Sequence, residues 1–150
     1  MRKYWIYGGF VAASLLSAGG AVAETGAEEG LRHAGQAEVV LWEGVSAVYH
    51  FAADAHSPFR AALANEFNEN VLQFEYNLSA LRISPYFKGT YPERLAHLEQ
   101  HWSKFKSAGA QIIKSGRDGV CCTSFQLARF REMADNVGED LAEVMDIERQ

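Results

Sequence analysis

The sequence lacks the motifs that mark most enzymes and nucleic-acid-binding proteins. Its 150 residues contain no Gly-rich phosphate loop, no Gly-x-Ser-x-Gly nucleophile elbow and no convincing Ser/His/Asp arrangement. The inward-facing Glu-x-x-His pairs of di-iron bundles are missing as well. No run of Lys and Arg exceeds two residues, and the sequence pI is about 5.5, which argues against a nucleic-acid partner. These absences predict a protein that is not an enzyme and needs no cofactor.

The sequence also lacks the alternation of apolar and polar residues that is typical of β-strands, and it contains no internal repeats. Apolar residues make up 48% of the chain and charged residues 22%, as is ordinary for a folded soluble domain. A chain of this length forms one domain around a single core. The apolar residues instead recur at steps of three and four, which is the spacing of one face of an α-helix.

Residues 1–23 have the pattern of a cleaved export signal. Arg2 and Lys3 precede a short apolar run from Trp5 to Leu16, and Ala21-Val22-Ala23 is an A-x-A cleavage site before Glu24. A retained anchor is the alternative, but a membrane span needs roughly 20 apolar residues. We expect a periplasmic mature domain at 24–150. Without the two basic residues of the signal it has 12 basic side chains of the original 14 against 19 acidic ones, a formal net charge of −7.

The stretch from Thr90 to Gly116 shows the clearest helical pattern. Thr90 and Glu93 read as a capping box, and Pro92 occupies the first turn, where its missing N–H is harmless. Ser115-Gly116 is the predicted end, because glycine takes a left-handed cap without a steric penalty. The apolar stripe is Leu95, Leu98, Trp102, Phe105, Gly109 and Ile112. We expect Trp102 to be a core residue whose indole packs against Phe74 or Phe130.

Three further helices are predicted around it. The first runs from Glu28 to about Ala55, with a stripe of Leu31, Ala34, Glu38, Leu41, Val45, Val48 and Ala52. This stripe is widened on one side by Ala37, Val40, Ala47 and Phe51. The second begins with Ser57 as N-cap and Pro58 as its first residue and ends at Ser84-Pro85. Tyr86 and Phe87 of the following loop should tuck against the bundle end, and the fourth helix starts around Cys122. Short connections between such helices predict an all-α, antiparallel up-down-up-down four-helix bundle.

Two pairs of residues suggest a redox or metal-binding bundle. His97 and His101 are four residues apart, close enough to bind one metal ion, although a complete site needs three or four ligands. Cys121 and Cys122 are adjacent, so a bridge between them would be strained and easily reduced. Bridges to a second copy and two reduced thiols are the alternatives. A small periplasmic redox or metal-binding bundle is therefore the rival interpretation, and an orphan structural bundle is the third.

Near the start of the first helix, Arg32, His33, Gln36 and Glu38 form the candidate ligand-binding set. A carboxylate such as Glu38 in an apolar stripe must pair, coordinate, or lie where water has access. Its closeness to the helix start favours water access over a ligand contact. Asn77-Leu78-Ser79 matches the glycosylation pattern, but Leu78 lies on the apolar stripe, so we interpret the match as chance.

Several short stretches resemble the PilJ-type sensor domain, the periplasmic N-terminal domain of type IV pilus methyl-accepting chemotaxis transducers, related to nitrate/nitrite sensor input domains. They are Phe74 to Leu81, the Leu98/Trp102/Phe105 run, and Ala34-Gly35-Gln36 followed by Tyr49. The resemblance implies a ligand-binding four-helix bundle that pairs through its first helix and takes part in type IV pilus chemotaxis. A membrane receptor or a small molecule is then the expected partner.

Two departures from the family shape this hypothesis. Ala37 and Glu38 stand where arginines would face an anionic ligand, which argues against nitrate-like sensing. The chain also shows no second membrane span and no signalling domain, so we expect a free-standing input module.

In a dimer that pairs through the first helix, two copies of Glu38 would repel unless each met Arg32 or His33 of the other chain. Weak self-association, favoured by mild acid and reduced by Glu38→Arg, follows from that pairing.

Overall fold

The computed structural model describes residues 26–84, 87, 92–119 and 122–146, with side chains from residue 28 onward. These residues form four α-helices and no strand: α1 (Gly26–Ala53), α2 (Arg60–Ile83), α3 (Pro92–Arg117) and α4 (Ser124–Asp146). The prediction of an all-helical protein with four helices is confirmed. The predicted export signal, Thr90, Pro85 and Tyr86 lie outside the described residues. Among the helices that are described, none is long and apolar enough to span a membrane.

Contacts between neighbouring helices fix which ends meet. His33, early in α1, contacts Asn77, late in α2, while Phe51 near the end of α1 meets Arg60 at the start of α2. Between α2 and α3, Arg82 is ion-paired with Glu99. Each of these contacts joins the early part of one helix to the late part of its neighbour in the chain.

A column of stacked aromatic rings fills the core. The rings of Phe74 and Trp102 lie nearly parallel, with centroids 3.6 Å apart, and Phe105 stacks on Phe130 at 4.8 Å. Phe67 completes the column at 6.1 Å from Phe105. Trp102 is only 4% exposed, so the prediction that it is a core residue packed against Phe74 is confirmed. Phe87 is buried as well, as predicted.

In α1 the buried stripe lies to one side of the predicted one. The residues that face the core are Ala34, Ala37, Leu41, Gly44, Val45, Ala47, Val48 and Phe51. Leu31, Glu38 and Ala52 are only partly buried, so they form the edge of this face. Glu38 thus lies at the edge of the core face, where its carboxylate keeps the access to water that its closeness to the helix start favours.

Two helix boundaries differ from prediction, the first because of a local turn and the second because of a tertiary contact. Helix α2 begins at Arg60 rather than Pro58, since the Ser57 hydroxyl accepts the Phe59 N–H within a turn that precedes the helix. Helix α3 continues through Gly116, where an added Cβ would approach Phe51 Cε1 to 2.5 Å. Gly116 is thus a packing glycine. The left-handed glycine after the helix is Gly119, with φ 78°.

Candidate functional site

A groove of about 480 Å³ lies between α1 and α2, and we call it the α1/α2 groove. It is open along the bundle surface near the start of α1. Its lining combines one cation, three carboxamides, one phenol ring, two valines and a glycine: Arg32, Gly35, Gln36, Val39, Val40, Gln73, Tyr76 and Asn77. Arg32 and Gln36 belong to the predicted ligand-binding set. The structure therefore brings two of its four members to one cavity.

Gly35 leaves the middle of the groove open. A Cβ built on this residue would have no neighbouring atom within 4 Å. By contrast, Tyr76 and Val39 expose 65% and 58% of their surface at the groove edge. Apolar and aromatic surface next to hydrogen-bonding amides is the usual chemistry of a small-molecule site.

His33 lies behind the groove wall, where it is 5% exposed. The Asn77 Nδ2 donates to the Gln73 carbonyl at 3.1 Å, which turns Asn77 Oδ1 towards His33 Nδ1 at 2.8 Å. His33 Nδ1 must therefore be the donor. Its Nε2 lies 3.3 Å from Arg32 Nη2, a donor, so the neutral ring accepts there. This network fixes the position of Asn77 in the groove wall and connects it to Arg32.

Burial of this network has two consequences for the sequence interpretation. His33 is engaged inside its own protomer, so the predicted contact between His33 and Glu38 of a second copy does not fit the structure. Asn77 is 3% exposed with both ends of its amide bonded, so it is closed to glycosylation, as interpreted from the sequence. Self-association through α1 stays a prediction.

Asn77→Ala is expected to lower the free energy of unfolding by about 1–3 kcal/mol, because it leaves the buried His33 donor without its acceptor. Asn68→Ala is the matched control, since Asn68 is an exposed asparagine on the same helix. The control should change stability by less than about 0.5 kcal/mol. Urea unfolding followed by circular dichroism measures both. Equal values for the two variants would show that the His33–Asn77 hydrogen bond does not hold the groove wall.

Of the two histidines on α3, only His101 connects two of the described helices. His101 Nδ1 lies 2.7 Å from Asp140 Oδ2, which joins α3 to α4. His97 is exposed, and the two imidazole centroids are 6.4 Å apart. Within the described part of the chain, no three His, Cys, Asp or Glu side chains converge as metal ligands. The proposed metal pair thus lacks a third ligand there.

Of the two adjacent cysteines, Cys122 is among the residues that the structure describes. Cys121 lies outside the described residues, so the predicted vicinal bridge and its alternatives stay predictions. Cys122 is partly buried, and its Sγ lies 3.8 Å from the Ile112 carbonyl oxygen. That position is at the α3–α4 turn, well apart in sequence from the α1/α2 groove.

The groove residues contributed by α2 were missed at the level of sequence. Gln73, Tyr76 and Asn77 flank the apolar stripe of that helix, and only Asn77 had been noticed, for another reason. Tyr76 carried a usable signal, because it is an aromatic residue that lies off the stripe. The sequence alone did not show which surface Tyr76 faces, because that depends on how α1 and α2 pack.

No protein-family model, curated protein or solved structure matches this chain.

Proposed function

We propose that this chain is an exported, non-enzymatic four-helix bundle that binds a small molecule in the α1/α2 groove. The observation that carries the proposal is the meeting of Arg32 and Gln36, singled out in the sequence, with Gln73, Tyr76 and Asn77 in one open cavity. The resemblance to PilJ-type sensor domains supports a role as a free-standing input module. The export signal supports a periplasmic location.

The proposed chain path is antiparallel, up-down-up-down. It is supported by the meeting of early and late helix segments in successive pairs, such as Arg94 with Glu143 between α3 and α4. In this arrangement the α1/α2 groove opens on one side of the bundle. The ligand-bound groove and the exposed Val39 and Tyr76 beside it form the surface that a membrane receptor of a type IV pilus chemotaxis system would contact.

The lining predicts the class of ligand. The volume of the groove falls within the roughly 300–1,000 Å³ of small-molecule sites. Carboxamides of Gln36 and Gln73 both donate and accept hydrogen bonds, while Arg32 only donates. Tyr76 offers an aromatic face. A small planar molecule with hydrogen-bonding edges, such as an aromatic amide or acid, matches these groups.

The rival redox or metal-binding function receives no comparable support. His101 is committed to Asp140, and no third ligand joins His97 within the described residues. The proposal of a non-enzymatic function rests on the sequence, which lacks the motifs that would supply a nucleophile or a phosphate site.

Amide chemical shifts test the ligand proposal. Nicotinamide and benzoate serve as planar probes in ¹H–¹⁵N NMR titrations of the wild-type domain and of Gly35→Trp. A Cβ at residue 35 meets no atom within 4 Å, so the new indole should extend into the groove and fill it without disturbing the core. We expect shifts at residues lining the groove in the wild type and their loss in the variant.

Ala96→Trp is the control, because it adds the same side chain at an exposed α3 position that lines no groove described here. It should retain the wild-type shifts. Probe-induced shifts that persist in Gly35→Trp, or that occur only on other helices, would place binding elsewhere. The absence of shifts with both probes would contradict the proposed ligand class.

A further inference from the structure

A second and larger groove, of about 570 Å³, lies between α3 and α4, and we call it the α3/α4 groove. Its apolar part consists of Ala108, Ile112, Phe125, Phe130 and Met133. Polar side chains along it are hydroxyls and carboxamides, Ser103, Ser107, Gln111 and Gln126. Phe125 exposes 73% of its surface, so its ring adds apolar area that is open to a ligand in the groove.

The charges in the α3/α4 groove are all of one sign. Lys104 and Arg129 line it, and no aspartate or glutamate does, although the chain as a whole carries a formal charge of −5. Neither cation forms an ion pair with any residue that the structure describes. Lys106, two residues from Lys104, is paired with Glu75 at 2.6 Å. The cations of the groove therefore keep their charge available to an anion.

The groove also has two chemically different ends. Lys104 and Arg129 are each next in sequence to a member of the stacked Phe105–Phe130 pair, so they lie at one level of the bundle on opposite helices. Ile112 is eight residues beyond Lys104, about 12 Å along α3 at 1.5 Å per residue. There Ile112 approaches Cys122, close to the exposed Phe125 at the start of α4. The first level carries both charges, whereas the second is uncharged and has the carboxamides of Gln111 and Gln126 next in sequence to its apolar residues Ile112 and Phe125.

We propose that the α3/α4 groove binds an amphiphilic organic anion. A carboxylate head accepts hydrogen bonds from Lys104 and Arg129, and an apolar tail runs past Ala108 and Ile112 to Phe125. The occupant is a single dissolved amphiphile, because two cations flanking a groove match one head group better than a charged membrane surface. This site is separate from the α1/α2 groove and does not depend on its function.

Calorimetric titration with decanoate, below the concentration at which it forms micelles, tests this site on the mature domain. Lys104→Gln and Arg129→Gln should each weaken decanoate binding about tenfold or more, as expected for loss of a charge-assisted hydrogen bond. Lys114→Gln removes the same charge from an exposed position of α3 outside the groove and should bind like the wild type. Decanol, which has the tail without the charge, should bind equally to all four proteins.

Three results would overturn the proposal. If the Lys104→Gln/Arg129→Gln double variant binds decanoate as tightly as the wild type does, the two cations do not bind the carboxylate. Loss of decanoate binding in Gly35→Trp would assign it to the α1/α2 groove. Association with anionic phospholipid vesicles in the absence of decanoate binding would make the groove a membrane-contact surface. Because the tested cations are exposed, circular dichroism should confirm that each variant is folded.

Discussion

Trp102→Ala is expected to lower the free energy of unfolding by about 3–5 kcal/mol, the usual cost of removing a large aromatic side chain from a core. Trp102 is 4% exposed and stacked on Phe74, and its ring also lies 5.3 Å from Phe105. Its loss therefore opens a cavity where α2 meets α3. Against a total stability of about 5–15 kcal/mol for a small domain, this is a large fraction.

Urea melts of three variants separate the causes. Phe125→Ala is the control, since that ring is exposed, and it should change stability by less than about 0.5 kcal/mol. Trp102→Phe should cost less than Trp102→Ala, because it keeps an aromatic ring on Phe74. It also removes the buried Nε1–H, which has no acceptor among the described residues. A Trp102→Ala protein as stable as Phe125→Ala would show that the aromatic column is not the core.

The second large effect is expected at Gly109, in the middle of α3. A Cβ there would lie 2.4 Å from Phe67 Cζ, and Phe67 is only 1% exposed, so its ring has no free space to move into. Gly109→Leu is expected to cost about 3 kcal/mol or more by overpacking. This loss exceeds the roughly 1 kcal/mol that replacing a helical glycine normally contributes.

Gly35→Leu is the matched control, because the same substitution is made inside a helix but into open space. It should raise the free energy of unfolding by about 0.5–1 kcal/mol. A glycine-to-leucine substitution is therefore expected to lower the free energy of unfolding at Gly109 and to raise it at Gly35. In a second step, Phe67→Ala should partly rescue Gly109→Leu, which a double-mutant cycle detects as coupling between the sites. Additive effects of Phe67→Ala and Gly109→Leu would contradict the packing described here.

The parts of the fold that were predictable depend on local chemistry. The α3 stripe was correct because spacing of three and four places residues on one face whatever the partner helix is. Pro92 does begin α3, where its ring suits the first turn. One local signal was overlooked: Thr123 and Gln126 form a capping box at α4, with the Gln126 side chain 2.8 Å from the Thr123 N–H.

The errors occurred where a neighbouring helix decides the outcome. Gly116 looked like a helix end, but its missing side chain makes room for Phe51, which is far away in sequence. In α1 the wide apolar face allowed more than one core direction, and packing against α2 and α4 turned Glu38 to the edge. His33 looked like a surface ligand because its acceptor, Asn77, is 44 residues away.

For the same reason, only half of the candidate site was accessible from sequence. Arg32 and Gln36 could be named because polar residues cluster at the start of α1. Tyr76 and Gln73 join them only through the packing of α2 on α1, which no single-helix pattern contains. The α3/α4 groove was missed entirely, since its two walls belong to separate helices and meet only when those helices pack.

Native mass spectrometry of the protein released from the periplasm of an expressing bacterium tests export and ligand binding together. We expect a mature chain that begins at Glu24 and carries a non-covalently bound small molecule. The bound mass should be absent from Gly35→Trp and present in Ala96→Trp. A chain that stays uncleaved in the membrane fraction, or a bound mass that Gly35→Trp retains, would contradict an exported protein that binds its ligand in the α1/α2 groove.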